Sequence, residues 1–145
     1  MKLFGHPIHI MLVHFPAALL PMEWLCALMA FTGADHGFAL ASFYAMFLGC
    51  ALGWVAMIFG TFDLIDVYES RNNDAMKTAL WHGGINTLVL TGYSIIAWIA
   101  WKQYPDPGAA TLPGLIIRFL LNALMLLGNY FGGKLILTHK IGVHE

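Results

Sequence analysis

The chain has 145 residues, 59% hydrophobic and only 10% charged, with a mean hydropathy of +0.71 and a net charge of −1. A water-soluble domain would carry about 25% charged residues, so the composition excludes that class and points to a membrane protein. The charge balance offers no basic surface, so no nucleic acid partner is expected.

The first apolar run covers roughly residues 8–32. Lys2 ahead of it gives the look of a signal peptide, but the run exceeds the ~7–15 residues of a signal core and carries histidines and two prolines, so it reads as a retained segment. After the turn Gly33-Ala34-Asp35-His36-Gly37 comes a second run, about 38–65, with a stripe of small residues: Ala45, Gly49, Gly53, Ala56 and Gly60. A polar connection, Asp66 to Asp74, leads to the third run, about 75–101. The stretch Gln103 to Pro113 holds three prolines and reads as a rigid loop before the fourth run, about 114–138. Gly128 and Gly132 form a second small-residue stripe there. Such stripes let backbones approach closely, or leave room for a flat cofactor.

Each run meets the ~20 residues needed to span hydrocarbon, and helix is the only backbone state four such spans can take. Short connections make sequential helices antiparallel. The expected fold is therefore an all-α integral membrane protein, an up-down-up-down four-transmembrane-helix bundle forming one domain over residues 1–145. Cys26 and Cys50 lack CxxC spacing and fall at depths differing by roughly 9 Å at ~1.5 Å per residue, which argues against a disulfide. Trp81, Trp98, Trp101, Tyr68 and Tyr104 fall near the expected interfaces. Lys2, Arg71, Lys77, Lys134 and Lys140 lie on the side of the termini, and Lys102 and Arg118 on the other; five against two places the termini in the cytoplasm of a multi-pass inner-membrane protein.

The histidines carry the chemical signal. His6, His9, His14, His82, His139 and His144 gather near one membrane face once the chain crosses four times, and ionisable groups at that depth usually have a function. Counted from the helix starts, His14 and His82 lie at matching depth, about 9 Å in at ~1.5 Å per residue, on helices that are diagonal in the bundle. That placement suits bis-histidine ligation of haem b, or a bare transition-metal ion. Asn86 shares a face with His82. Asp63 is on the correct side to hold a ligand's second nitrogen, and Arg71 to pair with Asp63 or a haem propionate. His9 is ~140° from His14 on an ideal helix, so His9 and His139 are expected at the mouth of the site or in a second one. Pro16 and Pro21 free the carbonyls of Leu12 and Ala17. Arg118, Asn122, Met125 and Asn129 make an inward polar stripe, read first as interhelical hydrogen bonding.

The run Gly5-His6-Pro7-Ile8-His9-Ile10-Met11-Leu12-Val13-His14-Phe15-Pro16 resembles the opening of a bacterial four-helix membrane-domain family, domain of unknown function 2231, whose pattern is approximately GHPxHxxLVHFP. The likeness continues through Gly60, Asp63, His82, Asn86, Gly132-Gly133 and His139. Leu137 stands where an aromatic is common in the family, and Lys140 where a glycine is common. The resemblance implies four transmembrane helices, and an association of some relatives with redox modules such as Rieske-type iron–sulfur domains.

The reading that follows is a b-type membrane cytochrome, an electron-transfer subunit or membrane oxidoreductase. Its haem would be bound by His14 and His82 and tuned by Asn86, Asp63 and Arg71. The expected partners are the lipid bilayer, quinol and a redox partner protein, with a homodimer as the assembly. The alternatives are a transition-metal binding or transport protein, with His6, His9, His14, His82 and His139 as ligands, and a structural or assembly subunit. The chain contains no CxxCH, Walker loop or GxSxG.

Overall fold

A computed structural model describes residues 2–3 and 6–141, with side chains from residue 8 onward except at 66. Two short antiparallel strands, β1 (Lys2–Leu3) and β2 (His6–Pro7), pair Lys2 with Pro7 and Leu3 with His6. Four helices follow: α1 (Ile8–Phe31), α2 (Gly37–Glu69), α3 (Asn73–Trp101) and α4 (Leu112–Leu137). All four are long and apolar enough to cross a membrane, and the protein is a multi-pass membrane protein built as an all-α bundle.

The helix ends follow local chemistry. Asp35 accepts from the Gly37 amide at 2.7 Å at the start of α2. The Asp66–Asp74 segment, expected as a connection, instead extends α2 to Glu69; the break comes where Arg71 takes a left-handed φ of 53°. Asn72 then caps α3, accepting from the amides of Asp74 at 3.1 Å and Ala75 at 3.0 Å. Thr111 caps α4 through the Gly114 amide at 3.3 Å, with Pro113 in the first turn. α1 runs unbroken through Pro16 and Pro21.

The helices form a ring in chain order, α1 against α2, α2 against α3, α3 against α4, and α4 back against α1. α1 packs most extensively on α2 and α3 on α4; the α1–α4 seam is the thinnest. Most large apolar side chains, such as Leu48, Ile58, Leu88, Phe119 and Leu126, face outward, as a bundle solvated by lipid requires. The interior holds two apolar clusters. One joins Leu20, Met46, Cys50, Val89, Tyr93, Leu121 and Met125 in mid-bundle. The other gathers Val67, Ala75 and Ala79 near the ends of α2 and α3, with Leu64, Leu135 and Ile141 packed on it. Cys26 and Cys50 are free thiols.

The small residues of α2 and α4 serve as seats for single side chains. A methyl group added at Gly49 would meet Leu20 at 2.8 Å, and one at Gly53 would meet Leu90 at 2.5 Å.

Candidate functional site

Between the two clusters lies a cavity of about 740 Å³ lined from all four helices. Its walls are largely apolar. The polar groups on it are His9 and His14 from α1, Thr61 and Asp63 from α2, His82 and Asn86 from α3, Asn129 from α4, and Lys140 beyond it.

Two imidazoles dominate this wall. His9 and His82 stand edge to face with ring centroids 6.1 Å apart. His9 Nδ1 lies 2.7 Å from the carbonyl oxygen of Ala56, and His82 Nδ1 lies 2.8 Å from that of Gly128. A carbonyl can only accept, so each neutral ring carries its proton on Nδ1 and leaves Nε2 as an acceptor. Glycines make room for the rings. A methyl at Gly60 would come within 2.9 Å of His9 Cε1, and one at Gly132 within 2.8 Å of His82 Cε1. Asn86 fills the next step of the same groove, against Gly128, and its Nδ2 donates to the His82 carbonyl at 2.9 Å.

The two halves of the chain thus repeat one construction. In each hairpin a histidine on the first helix donates to a carbonyl on the second, 47 residues later in one half and 46 in the other. In each, the ring rests on a glycine one turn beyond that carbonyl. The first helix of each hairpin thus holds its histidine in the same way, and His9 and His82 meet inside the bundle.

This geometry alters the expected site. The pair that faces across the diagonal is His9 with His82; His14 is exposed at the cavity rim. Equal distance from a helix start is not equal depth here, because α1 begins recessed. His9, the second residue of α1, sits over Gly60, and α2 runs on to Glu69. The second nitrogen of each ring is held by backbone, with no part for Asp63 in those bonds; Asp63 is half-buried on the cavity wall. Arg71 is exposed in the turn after α2 and does not line the cavity. His139 Nε2 lies 3.4 Å from the Thr78 hydroxyl. His36 pairs with Asp106 at 3.2 Å between the two loops of the opposite end. The side chain of His6 and all of His144 lie outside the described residues.

Among the described residues no group of three or more His, Cys, Asp or Glu side chains is placed to hold a metal ion. The expected ligands are dispersed, with His14 at the rim and His139 on Thr78. This overturns the expectation of haem b held by His14 and His82 and tuned by Asn86, Asp63 and Arg71. It equally overturns a transition-metal site built from His6, His9, His14, His82 and His139, and with both the b-type cytochrome and metal-transport readings.

A second polar cluster lies toward the loop end, and sequence reasoning missed its centre. Glu23 of α1 is fully buried. Its Oε1 accepts from Arg118 Nε of α4 at 2.8 Å and from the Ser42 hydroxyl of α2 at 3.0 Å. Asn122 Nδ2 donates to the Tyr93 hydroxyl at 2.7 Å, and that hydroxyl donates to the Arg118 carbonyl at 3.3 Å. The available signal was a lone carboxylate inside an apolar run, opposite a lone arginine in another; such charges pair when they face the interior. Arg118 and Asn122 do act in interhelical hydrogen bonding, as their spacing suggested.

No curated protein and no solved structure matches the chain. Residues 5–145 match the family described as "Predicted membrane protein (DUF2231)". That span covers nearly the whole chain, which belongs to the DUF2231 family.

Proposed function

We propose that this protein binds a membrane-dissolved small molecule whose polar end donates hydrogen bonds to His9 and His82, and that the ligand class is quinol. One observation carries the reading. Two imidazoles, each with Nδ1 committed to a backbone carbonyl, offer two Nε2 acceptors on the wall of a cavity of about 740 Å³. Small-molecule sites typically occupy about 300–1,000 Å³, mostly apolar with a few placed polar groups. An acceptor pair is selective. The hydroxyls of a quinol donate; the carbonyls of a quinone only accept and would leave both sides unpaired. An unmade hydrogen bond at a buried group costs about 1–3 kcal/mol.

The test is equilibrium binding of a short-tailed ubiquinol and the matching ubiquinone to protein in nanodiscs. Quinol should bind about tenfold or more tighter, since about 1.4 kcal/mol is a factor of ten. His9→Ala and His82→Ala should each remove most of that preference. Equal affinity for the two redox forms would refute the reading.

A further inference from the structure

The cavity's surroundings define how a ligand reaches it. Its inner end is sealed by Leu20, Val89 and Met125, part of the mid-bundle cluster. The end toward the termini is floored by Val67 and Ala79, with Leu135 and Ile141 on them. The lateral walls differ. The α1–α2 seam is tied at cavity height by His9 on the Ala56 carbonyl, and the α3–α4 seam by His82 on that of Gly128. The α2–α3 seam is tied by the Thr87 hydroxyl on Met57 Sδ at 3.8 Å, by Leu90 seated on Gly53, and by Trp54 Nε1 on the Ser94 hydroxyl at 3.0 Å.

The α1–α4 seam has no such tie at this height among the described residues. Its bonds all lie toward the loop end: Trp24 Nε1 to the Leu115 carbonyl at 3.0 Å, Arg118 to Glu23, and Asn122 Nδ2 to the Leu20 carbonyl at 3.5 Å. Beyond them, His14 on α1 and Asn129 on α4 are both exposed and both line the cavity. Gly133 continues the Asn129 face one turn on, and nothing stands within 4 Å of where its Cβ would be.

We infer that the cavity opens sideways to the bilayer between α1 and α4, through a portal rimmed by His14, Asn129 and Gly133, and that its ligand arrives dissolved in the lipid phase. The Glu23–Arg118 pair is the latch that holds the two helices together while they part below it. Pro16 and Pro21 sit between latch and portal. Neither prolyl nitrogen can donate to the carbonyl four residues back, so the α1 ladder is weakest where its two halves have different duties. The α2–α3 seam differs in this respect, since it is tied at the same height. This inference names the source of the ligand proposed above and rests on that reading for the ligand's identity, although the opening itself does not.

Two measurements test it. First, the protein is reconstituted with a phospholipid carrying a diazirine on its acyl chain, photolysed, and adducts are mapped by mass spectrometry. Val13, half-buried on the cavity wall, should be labelled in the wild type and protected in Gly133→Phe, whose ring would fill the portal. Absence of a Val13 adduct in the wild type, or labelling unchanged by Gly133→Phe, overturns the portal whether or not any ligand binds. Second, the association rate of the short-tailed ubiquinol should fall about tenfold in Gly133→Phe. It should change less than twofold in Gly84→Phe, which is exposed with open space at its Cβ but lies outside the cavity lining. Equal slowing in both variants contradicts the assignment of the seam. Val13 labelling without quinol binding would remove the proposed ligand and keep the portal.

Discussion

At the scale of single residues, the site depends on two imidazoles being held by what surrounds them. A hydrogen bond to a backbone carbonyl contributes about 0.5–1.5 kcal/mol net, too little to fix a ring on its own. The rest comes from fit, because Gly60 and Gly132 leave only enough space for the ring edges. Gly132→Ala should therefore push His82 off the Gly128 carbonyl. Overpacking of this kind costs about 1–3 kcal/mol, and the variant should unfold at lower temperature in detergent and lose quinol preference. Gly84→Ala, with nothing within 4 Å of its Cβ, is the matched control. It should be neutral or slightly stabilising, since alanine exceeds glycine in helix propensity by about 1 kcal/mol. The histidines themselves were legible as intramembrane polar residues, but their partners were not. Depth counted from helix starts, which the fold does not align, pairs His82 with His14 where the structure pairs it with His9. Lys140 takes a left-handed φ of 57°, a conformation that glycine adopts without strain.

At the scale of elements, the bundle is two hairpins joined by two different seams. α2–α3 is tied along the cavity, whereas α1–α4 is held at one end by a buried ion pair. Removing one member of such a pair leaves an uncompensated charge and costs about 3–5 kcal/mol, while replacing both by apolar residues of similar size is often neutral. Glu23→Leu and Arg118→Met should each destabilise strongly in a reversible unfolding assay, and the double variant should recover most of the loss. If the double variant were as unstable as the singles, the pair would not be the latch. The four helices were readable because apolar runs of this length have few other solutions. Their ends were less so: α2 absorbs charged residues to Glu69, since charge does not stop a helix and the left-handed Arg71 does. Glu23 went unread because a single acid among apolar residues carries no spacing pattern; only the facing Arg118 gives it meaning.

At the scale of the whole molecule, lipid and not water is the solvent for most of the surface, and the polar groups are confined to two interior levels. The level near the termini holds the cavity and its imidazoles; the level near the loops holds the Glu23 network. The distribution of Lys and Arg bears on orientation. With Arg118 buried against Glu23, Lys102 is the cation left on the loop side among the residues counted there. We propose that the termini face the cytoplasm. Reporter fusions at residue 145 should be active as a fluorescent protein and inactive as alkaline phosphatase; the opposite pattern would invert the molecule. The membrane class and the number of spans were accessible from the sequence. The cavity was not, because it arises from how α1 stands recessed against three longer neighbours.

The claim on which the functional reading depends is that His9 and His82 both hold their proton on Nδ1 and present Nε2 as an acceptor to a ligand. Nitrogen-15 spectra of histidine-labelled protein in lipid, assigned with His9→Ala and His82→Ala, test it directly. Two rings with protonated Nδ1 and unprotonated Nε2, whose Nε2 resonances shift on addition of the short-tailed ubiquinol and stay put on addition of the quinone, are the predicted result. Either ring carrying its proton on Nε2, or Nε2 signals that do not respond to quinol, would contradict it.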